Sequence, residues 1–371
     1  MRPARLGAMP LELEQSRKIL TELAIPIICA PMAGGPSTPQ LAAAVSNAGG
    51  LGFVAAGYLS PESTAALLDQ TRKLTVHPFG LNIFVPSPDP VDHAAVAAYR
   101  ERLLPAAEAA GVALPEAGSE DPAHPDDDFF DQKVSVAIDR EVPLVSFTFG
   151  LPPAEAVTKL QNAGIAVLAS VASPAAVEAA AQLGVDAVVV QGADAGGHRA
   201  TLSNHEKPDN LPLADLVIAA TEATSLPIIA AGGISRGSQI AELLALGATA
   251  VQLGTAFLRA NEAGTRPAHR EALTDPRFVE TAVTSAFSGR PARGLRNAFI
   301  DAHTAHAPNE YPQLHWLTTP LRKAAAERGD VEAVNLWAGV GYRETQTGPA
   351  SVILSALWES AVAARAEHER S

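Results

Sequence analysis

Eight short runs of β-branched and apolar residues punctuate the chain, at 25–28, 51–55, 79–83, 144–147, 166–170, 187–191, 228–231 and 250–253. Each is continuous rather than alternating, which is the pattern of a strand buried on both faces of a parallel sheet. The longer Ala- and Leu-rich stretches between them have the ends of helices. Ser37 or Thr38 before Pro39, Ser60 before Pro61 and Ser173 before Pro174 mark N-termini, and Gly111, Gly164, Gly184 and Gly247 mark C-termini. A step seen at Ala163-Gly164-Ile165, Leu183-Gly184-Val185 and Leu246-Gly247-Ala248 is a left-handed helix cap feeding the next strand. Eight strands alternating with helices predict an α/β fold, a (β/α)8 TIM barrel.

Two stretches break this rhythm. Residues 115–131 are rich in Pro, Asp and Glu without a period and read as an exposed insert, with Asp126-Asp127-Asp128 as a solvated charge run. After the eighth run the chain continues for more than one closing helix needs. The expected organisation is a barrel over 1–264, completed by a returning helix at about 349–365, and a mostly helical lid over 265–341.

Composition narrows the class. Hydrophobic residues are 47% of the 371 and charged residues 18%, the balance of a well-packed enzyme rather than a disordered chain. No apolar run reaches the roughly eighteen residues of a membrane span, and the N-terminus has no signal-like apolar core, so a cytoplasmic protein without a membrane partner is expected. The single cysteine, Cys29, rules out an internal disulfide, and no Cys/His spacing suggests a metal. A net charge of −13 without a basic patch argues against nucleic acid.

The candidate chemistry lies at the strand ends, where barrel enzymes carry their sites. The seventh run leads into Gly232-Gly233-Ile234-Ser235 and the eighth into Gly254-Thr255-Ala256. Glycine leaves backbone N–H groups unobstructed and a Thr hydroxyl adds a donor, so this pair of turns suits a phosphate, although either alone explains only a tight turn. The sixth run ends at Gln191, whose amide can pair with a heterocycle, and passes through Gly196 and Gly197, which let backbone approach a flat ring, to His198, a candidate base or hydrogen-bond donor. Met32 after the first run suits a ring face, though core packing accounts for it equally. Asn82, at the end of the third, is a buried amide that needs a partner. Gly49-Gly50-Leu51-Gly52 precedes a strand and so fails as a dinucleotide fingerprint.

Taken together, Ala30-Pro31-Met32-Ala33-Gly34-Gly35, Gln191-Gly192 with Asp194 through Arg199, Ala231 through Ile234 and Gln252 through Leu258 resemble the nitronate monooxygenases, formerly called 2-nitropropane dioxygenases. Ser288 through Gly294 and Leu336-Trp337-Ala338-Gly339 are similar to family segments beyond the barrel. The resemblance implies bound FMN and oxidation of alkyl nitronates by O2 to a carbonyl compound and nitrite. It implies His198 as the catalytic histidine, and cofactor contacts from Asn82, Gln191, Gly196, Gly233 and Gln252, Leu253, Gly254 and Thr255, with Met32, Gly197 and Gly232 beside them. Such proteins are expected to carry a Tyr, Tyr, Lys array at four-residue steps. This chain has Tyr311, His315 and Thr319 there, which makes Tyr311 and His315 the candidate substrate groups or ordinary lid packing, and Arg322 or Lys323 substitutes for the missing cation. Val340 stands where Gln is expected. The rival readings are an NAD(P)H-dependent flavin reductase of quinones or enoyl thioesters, and, more distantly, a non-redox isomerase or lyase holding a sugar phosphate.

Overall fold

The computed structural model describes residues 12–116, 125–368 and 370. Its centre is a closed barrel of eight parallel strands: β1 (Ile27–Cys29), β2 (Leu51–Ala55), β3 (Phe79–Phe84), β4 (Leu144–Thr148), β5 (Ala166–Val171), β6 (Ala187–Gln191), β8 (Ile228–Ala231) and β9 (Ala250–Leu253), with β9 pairing back onto β1. The remaining strands are β7 (Gly197–His198), β10 (Thr281–Thr284) and β11 (Ala292–Leu295). β1 starts two residues later than its apolar run because Pro26 has no N–H for the ladder; its carbonyl instead accepts from Val251 N–H.

The barrel has the double burial that continuous apolar runs require. Ile28, Leu51, Phe53, Leu168, Val189 and Ile229 fill the interior, and Leu20 on the helix Leu13–Thr21 packs with them. Ile27, Val54, Leu81, Val145, Val167 and Val188 face the surrounding helices. Thr38, Ser60 and Ser173 each accept a backbone N–H of the helix they open. The helix Ala350–His368 packs against the helices Gly237–Ala245 and Pro39–Asn47 on the barrel wall.

The segment after β9 is less helical than its composition suggests. It contributes β10 and β11, which form a three-stranded sheet with β7, a two-residue strand too short to leave a sequence period. His198 pairs with Ala292 and Gly197 with Arg293. The loop after β6 is thereby tied to the segment that covers the mouth. The helices Ala298–His303 and Gln313–Glu327 complete that cover.

Part of the expected insert, 117–124, lies outside the described residues. The end of it departs from a solvated charge run. Asp128 meets the fully buried Lys133 at 2.7 Å and accepts the N–H of Tyr58. Lys133 sits on the inner face of the helix Phe130–Asp139 beside Phe130, Val134 and Ala137, so the carboxylate is drawn inward by a buried cation.

Candidate active site

A cavity of about 800 Å3 opens at the C-terminal ends of the strands, near the upper end of the usual range for ligand sites. It brings together Met32, Asn82, Gln191, Gly196, Gly197, His198, Gly232, Gly233, Gln252, Leu253, Gly254, Thr255 and His315. Tyr311 is absent from its lining. It precedes the helix Gln313–Glu327, so the four-residue step breaks at Pro312, and its ring packs behind the wall, 5.0 Å from Phe149 and 6.0 Å from His198. On the helix itself His315, Thr319 and Arg322 share the cavity face, while Lys323 is exposed and does not line it.

The glycine turns present unpartnered backbone donors at the cavity. Gly232 and Gly233 have φ of 110° and 71°, values that a side chain strains, and a Cβ on Gly233 would lie 2.7 Å from that of Asp194. The N–H groups of Gly233, Ile234, Gly254 and Thr255 donate to no protein acceptor among the described residues, and all four residues line the cavity. Thr255 Oγ1 accepts the Gly339 N–H at 3.0 Å, which leaves its own hydrogen for a ligand. Orphaned donors converging on one cavity are costly unless an acceptor joins them.

The two amides play different parts. Asn82 Nδ2 donates to the carbonyl and hydroxyl of Ser146 and to Thr148 Oγ1, so β4 fixes the side chain while Oδ1 accepts nothing among the described residues. Gln191, expected to face a heterocycle, is already engaged on both ends. Its Nε2 donates to His198 O at 3.0 Å and its Oε1 accepts Ala200 N–H at 2.9 Å. Gln191 is therefore the clamp that returns the loop 192–200 to the strand end. Gly196 has a reason of its own: a Cβ there would sit 2.4 Å from Gly339 N, so the cover already leaves no room for a side chain.

His198 is held by backbone pairing on β7 and by aromatic neighbours, with Phe149 at 5.2 Å and Trp337 at 5.5 Å. Its Nε2 lies 2.9 Å from Ser288 Oγ, which in turn donates to Arg290 O at 3.3 Å. This relay is satisfied when Nε2–H donates to Ser288, leaving the lone pair on Nδ1. Burial, then the charges of Arg290 and Arg322, push the imidazole down to about 3, so it is neutral at physiological pH. Ser288, Arg290 and Arg293 belong to the segment that is similar to family segments beyond the barrel. Arg290 binds Asn204, Phe149 O and Thr201 and lies 4.4 Å over the Phe149 ring, and Arg293 donates to Ala193 O and Thr281. Neither lines the cavity; they fasten the cover to the barrel.

Sequence reasoning missed Tyr58 and Trp316. Tyr58 stacks on His315 at 4.1 Å and meets Trp316 edge-on at 5.8 Å, and all three line the cavity. A positive φ of 69° at Tyr58, three residues past the end of β2, is a local peculiarity that is invisible in sequence.

The nitronate monooxygenase family model matches residues 17–360. A probable nitronate monooxygenase of Staphylococcus aureus (strain Newman) is 36% identical over 336 residues, 89% of this chain and 92% of that protein. Among solved structures, nitroalkane oxidase from Streptomyces ansochromogenes superposes with a TM-score of 0.89 at 44% identity, covering 94% of this chain and 99% of that one. FabK from Thermotoga maritima superposes at 0.74 and 28% identity, covering 95% and 96%. With its closed barrel and the glycine turns and histidine gathered in one cavity, the chain belongs to the nitronate monooxygenase family of oxidoreductases.

Proposed function

We propose that the protein is an FMN-dependent nitronate monooxygenase that oxidises alkyl nitronates with O2 to carbonyl compounds and nitrite. The observation that carries this reading is the cradle of four unpartnered N–H groups next to a cavity that also holds a neutral histidine. The residues fit FMN: the β8 and β9 turns and Thr255 would hold its phosphate, Asn82 Oδ1 offers an acceptor to its ring system, and Met32 lies on the same wall. The paired turns after β8 and β9 are the one such cradle among the described residues of the lining, which favours a mononucleotide. When bound, FMN supplies the redox chemistry, taking electrons from the substrate and passing them to O2.

The chain's own residues set up the substrate. Tyr58, Phe84, Trp316 and Trp337 give the cavity apolar walls that exclude water. For a substrate arriving as a neutral nitroalkane, the Cα–H bond breaks, the proton passes to His198 Nδ1 and the electron pair moves onto the nitro group, giving the nitronate; the burial that holds the imidazole at about 3 opposes this transfer, and the negative charge forming on the substrate beside the ring is what offsets it. For a substrate already ionised no proton need move, and His198 serves as a hydrogen-bonding neighbour. Ser288 fixes the tautomer and Gln191 fixes the backbone, so the ring is preorganised in both cases.

Mass analysis of the cofactor released by heating tests the first half of this reading. FMN is expected; FAD, or no flavin, contradicts it. Gly233→Asp should yield apoprotein, because a carboxylate would crowd Asp194 and repel the phosphate, whereas full retention of flavin would place the cradle elsewhere. The reductase reading keeps the same contacts and is distinguished by its reductant: rapid anaerobic bleaching by NADH or NADPH would favour it. A colourless, active protein would favour the sugar-phosphate reading.

A further inference from the structure

The cavity lining includes a group of polar residues that neither the glycine turns nor His198 engages: Arg266, His269, Glu327, Asp330 and Asn335. The helix Pro267–Ala272, which carries His269, packs on the short helix Val331–Ala333 that leads to Asn335. His269 is deeply buried and hydrogen-bonded to the backbone of Trp337. Its Nε2 is buried and has no partner among the described residues, so the Trp337 bond falls to Nδ1, and a carbonyl acceptor makes Nδ1 the protonated nitrogen. Burial, opposed by this bond and aided by the charge of Arg266, holds the imidazole down at about 4. Nε2 therefore carries a free lone pair at neutral pH. A buried acceptor without a donor is costly, and a residue of the cavity wall that keeps one has a use for a ligand's hydrogen.

Asn335 supplies the complementary half. Trp337 bridges Gly294 and Leu336 O accepts the Leu295 N–H, so the stretch runs extended and residues 335 and 337 share a face. Asn335 Oδ1 accepts Arg322 Nη1 at 3.3 Å, which orients the amide and leaves Nδ2 without a protein acceptor among the described residues. The charges around the pair have both signs, Arg266 against Glu327 and Asp330, so this end of the cavity selects neither an anion nor a cation. A neutral group that both donates and accepts is its complement.

We propose that His269 Nε2 and Asn335 Nδ2 form a second subsite that takes a hydroxyl or carboxamide at the far end of the substrate, so that the enzyme selects nitronates with a neutral polar tail over simple alkyl ones. This rests on the nitronate reading above and deepens it. A tail hydroxyl donates to His269 and accepts from Asn335. An alkyl tail leaves both groups unpaired, and that penalty is the stronger source of discrimination. Trp337 sets the length of the tail: its ring lies 5.5 Å from His198 and its backbone holds His269. A substrate whose reacting carbon lies at His198 thus reaches the subsite only through a chain of several carbons, for which a cavity of about 800 Å3 has room.

The experiment uses the flavin-loaded full chain and two pairs of nitronates that differ only in a terminal hydroxyl or methyl group: 4-nitrobutan-1-ol against 1-nitropentane, and 6-nitrohexan-1-ol against 1-nitroheptane. Wild type should favour the hydroxyl member of at least one pair by about 10-fold in kcat/KM, carried by KM. His269→Asn keeps a donor for Trp337 O at the Nδ1 position but has no atom at Nε2. It should bring that ratio to about 1 while leaving the methyl-ended substrate unchanged, which a merely structural role of the ring would not do. His269→Gln, whose amide oxygen reaches the Nε2 position, should restore part of the ratio. Asn335→Leu should lower the same ratio, and it carries the comparison if His269→Asn fails to melt cooperatively. Melting supplies a readout free of turnover: 6-nitrohexan-1-ol should raise the Tm of wild type more than 1-nitroheptane does, and the difference should vanish in His269→Asn. A wild-type ratio near 1 in both pairs, or a ratio that survives His269→Asn and Asn335→Leu, overturns the proposal. A wild type that shows the melting difference through His269 but oxidises neither member would instead refute the nitronate reading and leave the subsite standing.

Discussion

Gly196→Ala puts a single methyl group where the barrel loop touches its cover. The added Cβ would lie 2.4 Å from Gly339 N and 2.5 Å from Ala338 C, and both are backbone atoms that cannot swing aside. Restoring a contact of about 3.4 Å requires the two segments to part by about 1 Å, and overpacking of this kind typically costs about 1–3 kcal/mol. The displacement matters more than the energy. Gly339 N–H donates to Thr255 Oγ1 and Trp337 packs on His198, so the same 1 Å loosens the Thr255 hydroxyl and the His198 ring together. A misplacement of about 1 Å can cost about 10²-fold in rate. The expected result is a fall of roughly that size in kcat/KM for ethyl nitronate with only a few degrees lost in Tm. Gly184→Ala is the control: its Cβ meets nothing within 4 Å and it lies outside the cavity lining, so it pays only for a φ of 84° and should lose about 1 kcal/mol of stability without the drop in rate. Wild-type kinetics in Gly196→Ala, or equal kinetic losses in the two variants, would refute the view that a rigid loop–cover contact places His198.

Three other outcomes follow from the same geometry. His198→Asn should lower turnover of neutral nitroalkanes by about 10²- to 10⁴-fold while sparing more of the activity on preformed nitronates, with flavin still bound; equal losses on both substrates would remove the proton-transfer role. Asp128→Ala strands the buried Lys133 charge and should cost about 3–5 kcal/mol, read as a lower Tm, together with a higher substrate KM as Tyr58 loses the carboxylate that fixes its backbone; a Tm at the wild-type value would show that the pair is not buried in solution. His198 and His269 are held down at about 3 and about 4, chiefly by burial, so the folded protein refuses protons that the unfolded chain accepts below about pH 6.5. Their contribution is complete above that pH and is lost as pH falls toward the folded values, reaching about 2 kcal/mol each by pH 5. Tm should drop between pH 7.5 and 5 and drop less in His198→Asn, and a flat profile would contradict the burial of both rings.

The barrel was legible because its strands are doubly buried and so read as continuous apolar runs, and because Thr38, Ser60, Ser173 and the glycine caps announce the helices between them. The β8 and β9 turns were legible because glycines directly after an apolar run mark where a strand gives way to a turn, and Gly232 and Gly233 do take positive φ there. What escaped the sequence is whatever depends on contacts between distant segments. β7 is two residues long and exists only because β11 reaches it. Gln191 has the right amide at the right strand end, but its partners are His198 O and Ala200 N–H, fixed by the path of a loop that no periodicity describes. Asp128 looks like one member of a solvated acidic run until Lys133 turns inward beneath it. Tyr311 was misplaced by one turn of reasoning, since the helical step holds only after Pro312, and a proline at a helix start is the signal that could have shown it.

A cavity that passes electrons from a nitronate into a bound flavin is revealed by anaerobic reduction. Purified protein should show a yellow flavin spectrum that bleaches on addition of ethyl nitronate without O2, recovers when O2 is admitted, and is left largely unchanged by NADH or NADPH over the same interval. A flavin that NADH or NADPH bleaches rapidly while ethyl nitronate leaves it oxidised would contradict this transfer, as would a colourless protein.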